Sequence, residues 1–161
     1  MKKIFYILIV FLFKINIAYG LIEVDITRGN LDPLPIAVSP LHVDPQSDNY
    51  QDIKTKELGD FISSVVEKNF RSTGLFNPLN KDAFVQKPDI AHLKPRFEDW
   101  SLITAQALVT GKLLIKDEKL KIEFRLWDVA ANKEMIALAF TTTPSNWRRV
   151  AHIISDKIYE R

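Results

Sequence analysis

The sequence has no cysteine among its 161 residues. That absence excludes disulfides, thiolate metal sites, a cysteine nucleophile and a lipidated N-terminal cysteine. It leaves the compartment open, because many exported proteins also lack cysteine. Neither sign of charge dominates: 22 basic residues stand against 20 acidic ones, for a formal net charge of +2. Only five glycines are present, and none builds a phosphate-cradling loop. A Gly-x-Ser-x-Gly elbow and a His-Glu-x-x-His pair are also missing. The histidines, His42, His92 and His152, are isolated from one another in sequence. Trp127-Asp128 is the dipeptide of propeller blades, but no second copy follows it, so it marks no repeat. These absences leave no catalytic constellation and no cofactor motif. What is there, 47% hydrophobic and 26% charged residues, is the composition of a folded globular chain.

The first twenty residues speak to the compartment. Lys2 and Lys3 form a positive start, Ile4 to Phe13 is an unbroken apolar run, and Ala18-Tyr19-Gly20 offers small residues for a signal peptidase. Residues 1–20 are therefore expected to be a signal peptide cleaved after Gly20. As a membrane anchor the segment is too short, against the roughly 20 residues a spanning helix needs, and Lys14 interrupts it. Cleavage removes three lysines and no acid, which leaves a net charge of −1. A nearly neutral mature chain gives no reason to expect nucleic acid or an anionic membrane surface as partner.

Residues 21–34 read as an N-terminal tail or strand, and residues 35–161 as one α+β domain. From Leu21 to Thr27 the pattern alternates, Ile22, Val24 and Ile26 against Glu23, Asp25 and Thr27. A terminal strand of this kind can join its own sheet or pair with a partner. Ile36-Ala37-Val38 is a second short strand, bounded by Pro33, Pro35 and Pro40. A polar loop from His42 to Gln51 follows.

The stretch Asp52 to Leu79 reads as one long amphipathic helix, a glycine stop and a short edge segment. Leu58, Phe61, Ile62, Val65, Val66, Phe70 and, past the turn, Leu75 form its apolar stripe. Asp52 is the expected N-cap, Arg71 suits the last turn, and Gly74 suits the left-handed stop. Lys81 to Pro95 has no strong period and reads as an irregular surface segment. Arg96 to Ile103 reads as a short helix showing Phe97, Trp100 and Ile103 on one face.

Three alternating strands come next, Ala105 to Ile115, Leu120 to Trp127 and Met135 to Thr143, joined by short hairpin connections. A last helix opens at Thr143-Pro144 and carries Trp147, Val150, Ala151, Ile154 and Ile158 on one face. The expected architecture is two long helices on one face of a mixed sheet of about five strands.

Weak candidate sites have bland explanations. His42 with Asp44 and Asp48 suggests a metal, but the spacing is not diagnostic and a polar loop accounts for it. Glu98-Asp99 suits the start of a helix dipole. Arg148-Arg149 fits the solvated side of the last helix, and His152 its flank. No metal and no catalytic residue is expected.

Several runs together resemble a known family. Pro35-Ile36-Ala37-Val38-Ser39-Pro40 follows the terminal strand, and Phe70-Arg71-Ser72-Thr73-Gly74-Leu75-Phe76-Asn77-Pro78-Leu79 is the most specific stretch. Trp100, Val109-Thr110-Gly111-Lys112, Leu126-Trp127-Asp128, Trp147-Arg148-Arg149, Ala151-His152 and Ser155-Asp156 continue the match. The order is similar to the N-terminal domain of the TolB family, periplasmic components of the Tol–Pal envelope system. The resemblance implies two helices on a mixed five-stranded sheet and a non-enzymatic adaptor role. It also implies that Leu21, Ile22, Glu23, Val24, Asp25 and Ile26 bind the C-terminal domain of TolA as an added strand. Such a strand would use backbone hydrogen bonds for affinity and alternate side chains for specificity. TolB proteins continue into a β-propeller that binds Pal, whereas this sequence stops at Ile158-Tyr159-Glu160-Arg161. Pal is accordingly expected as a partner only if a propeller is supplied separately. A fragment, half of a split gene and a solo domain all fit that ending. The other readings are an exported ligand- or metal-binding domain or enzyme with its pocket in the His42 to Gln51 loop, and a remnant that binds nothing.

Overall fold

A computed structural model describes residues 32–161. These residues form an α+β fold around a six-stranded mixed sheet, in the order β3-β1-β4-β5-β6 with β2 also paired to β4. The strands are β1 (Leu34–Val38), β2 (His42–Val43), β3 (Phe76–Pro78), β4 (Ala107–Lys116), β5 (Lys119–Asp128) and β6 (Lys133–Thr142). The helices are α1 (Ile53–Lys56), α2 (Leu58–Thr73), α3 (Pro88–Ala91), α4 (Phe97–Leu102) and α5 (Trp147–Tyr159).

The long carboxy-terminal strands follow directly from their alternation. β4 pairs antiparallel with β5, Gly111 opposite Phe124, and β5 with β6, Phe124 opposite Leu138. The β4–β5 turn is Asp117-Glu118, with φ of +50° and +59°. Those values belong to the two-residue turn whose twist matches a hairpin. On the other flank β1 runs parallel to both β3 and β4, Val38 opposite Val109. β1 and β2 are one strand interrupted at Ser39-Pro40-Leu41. Both pair with β4, and Leu41 turns its N–H away from the sheet to the Gly59 carbonyl, 3.3 Å away. Pro40 has no N–H for the ladder, which explains why the interruption falls there.

α2 and α5 lie together on one face. Ile62, Val66 and Phe70 from α2 and Val150, Ala151, Ile154 and Ile158 from α5 join Ile36, Val38, Val109, Leu113, Ile122 and Phe124 in the main core. Asn69 Nδ2 donates to Ser155 Oγ at 2.9 Å across the helix pair. Gly59 lets α2 approach: a Cβ there would fall on the Leu41 carbonyl oxygen. Gly74 ends α2 at φ +70°, as its place in the sequence implies.

The structure corrects the sequence reading of the helix in three places. The helix is two pieces, with Glu57 between α1 and α2. Asp52 stands at the start of α1 but its side chain makes no cap hydrogen bond. Phe61 and Leu75 are not core residues, being 42% and 56% exposed. The last helix is likewise delayed, because Pro144–Asn146 forms a 3-10 turn before α5 begins at Trp147.

Candidate functional site

The predicted partner strand, Leu21, Ile22, Glu23, Val24, Asp25 and Ile26, lies outside the described residues, as does the expected signal peptide. Asp32 and Pro33 are both exposed. The chain then enters β1 at Leu34, whose N–H donates to the Leu75 carbonyl at 2.9 Å. Leu34 therefore enters the sheet beside β3, next to the exposed Leu75.

The loop that suggested a metal is explained by its own hydrogen bonds. Asp44 Oδ1 accepts from the Gln46 N–H at 2.9 Å, and Asp48 Oδ2 from the Asp117 N–H at 2.8 Å. Ser47 Oγ accepts from the Ile115 N–H at 3.2 Å, so the loop is stitched to the end of β4. His42 is turned elsewhere. Its ring stacks on His92, centroids 4.6 Å apart and planes 7° from parallel. Among the described residues no group of three or more His, Asp or Glu side chains is placed to hold a metal ion. Burial lowers the His42 pKa, and the neighbouring His92 pushes it the same way. Burial therefore favours the neutral form of the His42 ring.

His92 belongs to the segment that half-covers the second face of the sheet. Gln86 organises that segment. Its Oε1 accepts from Trp100 Nε1 at 3.0 Å and from the Arg96 N–H at 2.9 Å, while its Nε2 donates to the Lys94 carbonyl at 3.2 Å. Trp100 packs with Ala37, Ala91, Ala105, Leu108 and Val129 in a second, smaller core. Arg125 Nη1 reaches the His92 carbonyl at 3.0 Å and pins the end of the segment to β5. Sequence reasoning had no means of finding Gln86. It sits in a stretch without period, and its partners are ten and fourteen residues away.

Beyond His92 the face is open. A shallow cavity of about 200 Å³ runs over Gly111, Lys112, Glu123, Arg125, Ala137 and Ala139. Its charges are mutually paired: Lys121 and Lys112 approach Glu123 at 2.7 and 3.7 Å, and Arg125 approaches Glu134 at 3.1 Å. The Lys121 hydrogen bond holds the Glu123 carboxyl below its usual range. Among the described residues, none of these groups is set up as a nucleophile with a base beside it. Arg148 and Arg149 are exposed on α5 as expected, Arg148 lying 4.7 Å from the Trp147 ring centroid. His152 is also exposed and meets Asn69 at 3.0 Å. Asp99 is bound to Arg96, its guanidinium 2.6 Å away.

The TolB amino-terminal domain family matches residues 22–135. The chain is 66% identical over 158 residues to the Tol-Pal system protein TolB of Pelagibacter ubique, covering 97% of this chain and 35% of that protein. It therefore spans about a third of that curated relative. The crystal structure of TolB from Acinetobacter baumannii superposes with a TM-score of 0.61 at 20% identity, over 80% of this chain and 28% of that one. The dodecameric PelC of Paraburkholderia phytofirmans shares the fold at a TM-score of 0.50 and 14% identity, over 78% of this chain and 85% of that one. With a family match over most of its length and so near a relative, the chain belongs to the TolB amino-terminal domain family.

Proposed function

We propose that this protein is a periplasmic, non-enzymatic adaptor of the Tol–Pal system, exported by cleavage of residues 1–20. The observation that carries the reading is the 66% identity to a Tol-Pal system protein across nearly the whole chain. The α+β domain from Pro35 to Arg161 is the scaffold, and residues 21–34 are the tail that engages the partner. Leu21 to Ile26 adds as a strand to the sheet edge of the TolA C-terminal domain. Ile22, Val24 and Ile26 fill pockets there, and Glu23 and Asp25 set charge preference. Contact with Pal requires a propeller beyond the residues of this sequence. The role is in outer-membrane integrity and envelope invagination during cell division.

Calorimetric titration of residues 21–161 into the TolA C-terminal domain, beside a version lacking Leu21 to Arg28, tests the reading. Heat that disappears with the tail supports it. Equal binding by both versions would place the contact elsewhere, and no binding by either would refute the adaptor role.

A further inference from the structure

The residues of β2 face opposite ways. Val43 sits in the main core under the helices. His42, its neighbour on the strand, therefore points to the second face, where it stands opposite Lys112 of β4. There its ring lies flat against that of His92, centroids 4.6 Å apart. His92 belongs to the covering segment and walls the cavity over Gly111 and Ala139. Its Nδ1 donates to the Pro88 carbonyl at 2.9 Å. That bond stays inside the segment and leaves Nε2 as the basic nitrogen of the ring. The stack is a contact between two titratable rings, one on the sheet and the other on the chain that covers it. The covering chain is lightly held here. Between Lys87 and Lys94 only Ala91 is buried, while Ile90 and Leu93 are 49% and 71% exposed. Among the described residues its hydrogen bond from the sheet is the one that Arg125 donates to the His92 carbonyl.

We propose that the His42–His92 stack is a proton-operated latch: acid parts the rings, releases the chain from Lys87 to Lys94 and uncovers the second face of the sheet. Neutral imidazoles pack ring on ring, whereas two imidazolium ions in the same geometry repel at short range. The charged groups that face the pair are divided. Lys112 of β4 adds positive charge, while Asp44 after β2 and Asp89 on α3 oppose it. Lys56 of α1, Asp60 of α2 and Lys87 line the pocket on the other side of His42. Glu123 and Arg125 of β5 line the cavity with His92. Asp44 is engaged by the Gln46 N–H, and Glu123 by Lys121 and Lys112. Asp89 rides on the segment itself, so its attraction is lost once the segment leaves. Burial and His92 both lower the His42 pKa from 6.5. The latch is therefore closed at neutral pH and opens as pH falls below that value. Opening is local, because Gln86 still holds Trp100 and the Arg96 N–H, and neither ring belongs to the helical core. It uncovers the seat of Ala91 in the second core with Ala37 and Leu108, and it removes one wall of the cavity. The latch uses neither the tail nor TolA, so its failure would leave the adaptor reading untouched.

Because the chain has no cysteine, a single Ala91→Cys in the full chain reads the opening. Labelling with dithiodipyridine, which attacks thiols in acid as well as at neutral pH, is normalised to a free thiol peptide. From about pH 7.5 to about 5.5 the rate is expected to rise at least about fivefold relative to that of Val66→Cys, a buried position under the helices. Adding His42→Phe, which keeps a flat ring in the stack but takes no proton, is expected to abolish the rise. His92→Phe should abolish it too and, by removing a like charge, move the His42 titration upward in proton NMR. Amide exchange of the unsubstituted chain, corrected for the pH dependence of the chemical step, gives the same reading without a cysteine: Ala91 to Lys94 should lose protection over this range, and His42→Phe should restore it. An acid response of equal size with and without His42→Phe would overturn the proposal. So would labelling and exchange that stay constant across the range.

Discussion

One face of the sheet is closed by two helices of 16 and 13 residues; the other is closed only in part, by the chain between Lys81 and Ile103. The first face is held by apolar burial along two periodic stripes. Its core is continuous from Leu41 and Leu58 to Ile158. The second face has a small core around Trp100, and polar contacts centred on Gln86 and His92 fix the segment that covers it. Burial of the first kind is distributed, so no one contact decides whether the helices dock. The second kind concentrates on a few buried polar groups, each costly to leave unpaired. The helix-bearing side is therefore the rigid frame, and the segment from Lys81 to Pro95 is the part of the molecule that single contacts can release.

The largest expected effect tests the frame. Phe70 is fully buried on α2 and packs on Phe76, ring centroids 4.7 Å apart. Phe70→Ala is expected to cost about 3–5 kcal/mol, read from urea unfolding as a lower midpoint with an unchanged slope. A milder break acts at the helix approach. Gly59→Ala places a methyl on the Leu41 backbone, so α2 must back away from the β1–β2 interruption. About 1–3 kcal/mol is the expected loss for overpacking of this kind, and Gly59→Ser should be no better. A Gly59→Ala chain of unchanged stability would mean that the helix approach is loose.

The polar side of the comparison is broken at Gln86. Gln86→Leu removes the acceptor of Trp100 Nε1 and of the Arg96 N–H. The expected global loss is about 1–3 kcal/mol, with a local signature that the core variants lack. Amide exchange should accelerate from Phe84 to Arg96 while α2 and α5 keep their relative protection. Uniform acceleration across the domain would show that the second face is not a separate unit.

This contrast also explains what the sequence revealed. Strand and helix identity came from period: Leu120, Ile122, Phe124 and Leu126 alternate and are all buried. Gly74 was legible because few other residues adopt the left-handed backbone that such a stop requires. The break at Glu57 was not, because Ile53 to Glu57 holds no proline or glycine to mark it. The exposed Leu75 misled for a similar reason: periodicity assigned it a face, but the chain had already left the helix at Gly74. Gln86 and the His42–His92 stack were invisible, since a contact between positions fifty residues apart leaves no local pattern. The partner strand was read from alternation and family resemblance together, and it lies outside the described residues.

The smallest effect concerns acid. Burial lowers the His42 pKa from its ordinary value of 6.5, and His92 and Lys112 push the same way. Asp89 and Asp44 face the ring and oppose them. A lowered histidine pKa means that the folded state binds fewer protons than the unfolded one between the folded value and 6.5. Stability is then full above about pH 6.5 and declines as pH falls through that window. Glu123 weakens the fold only at lower pH, since its depressed carboxyl protonates below the ordinary 4.5. The two contributions therefore separate on a pH axis. Urea midpoints measured from pH 7.5 to 5.5 are expected to fall slightly, and His42→Gln should flatten that fall while leaving the decline below 4.5 in place. The site of the loss discriminates further. Protonating His42 beside His92 loosens the stack that ties the covering segment to β2, so exchange should quicken first between Lys87 and Lys94. Acid-induced exchange appearing first in α2 or α5 would instead assign the pH response to the helical face.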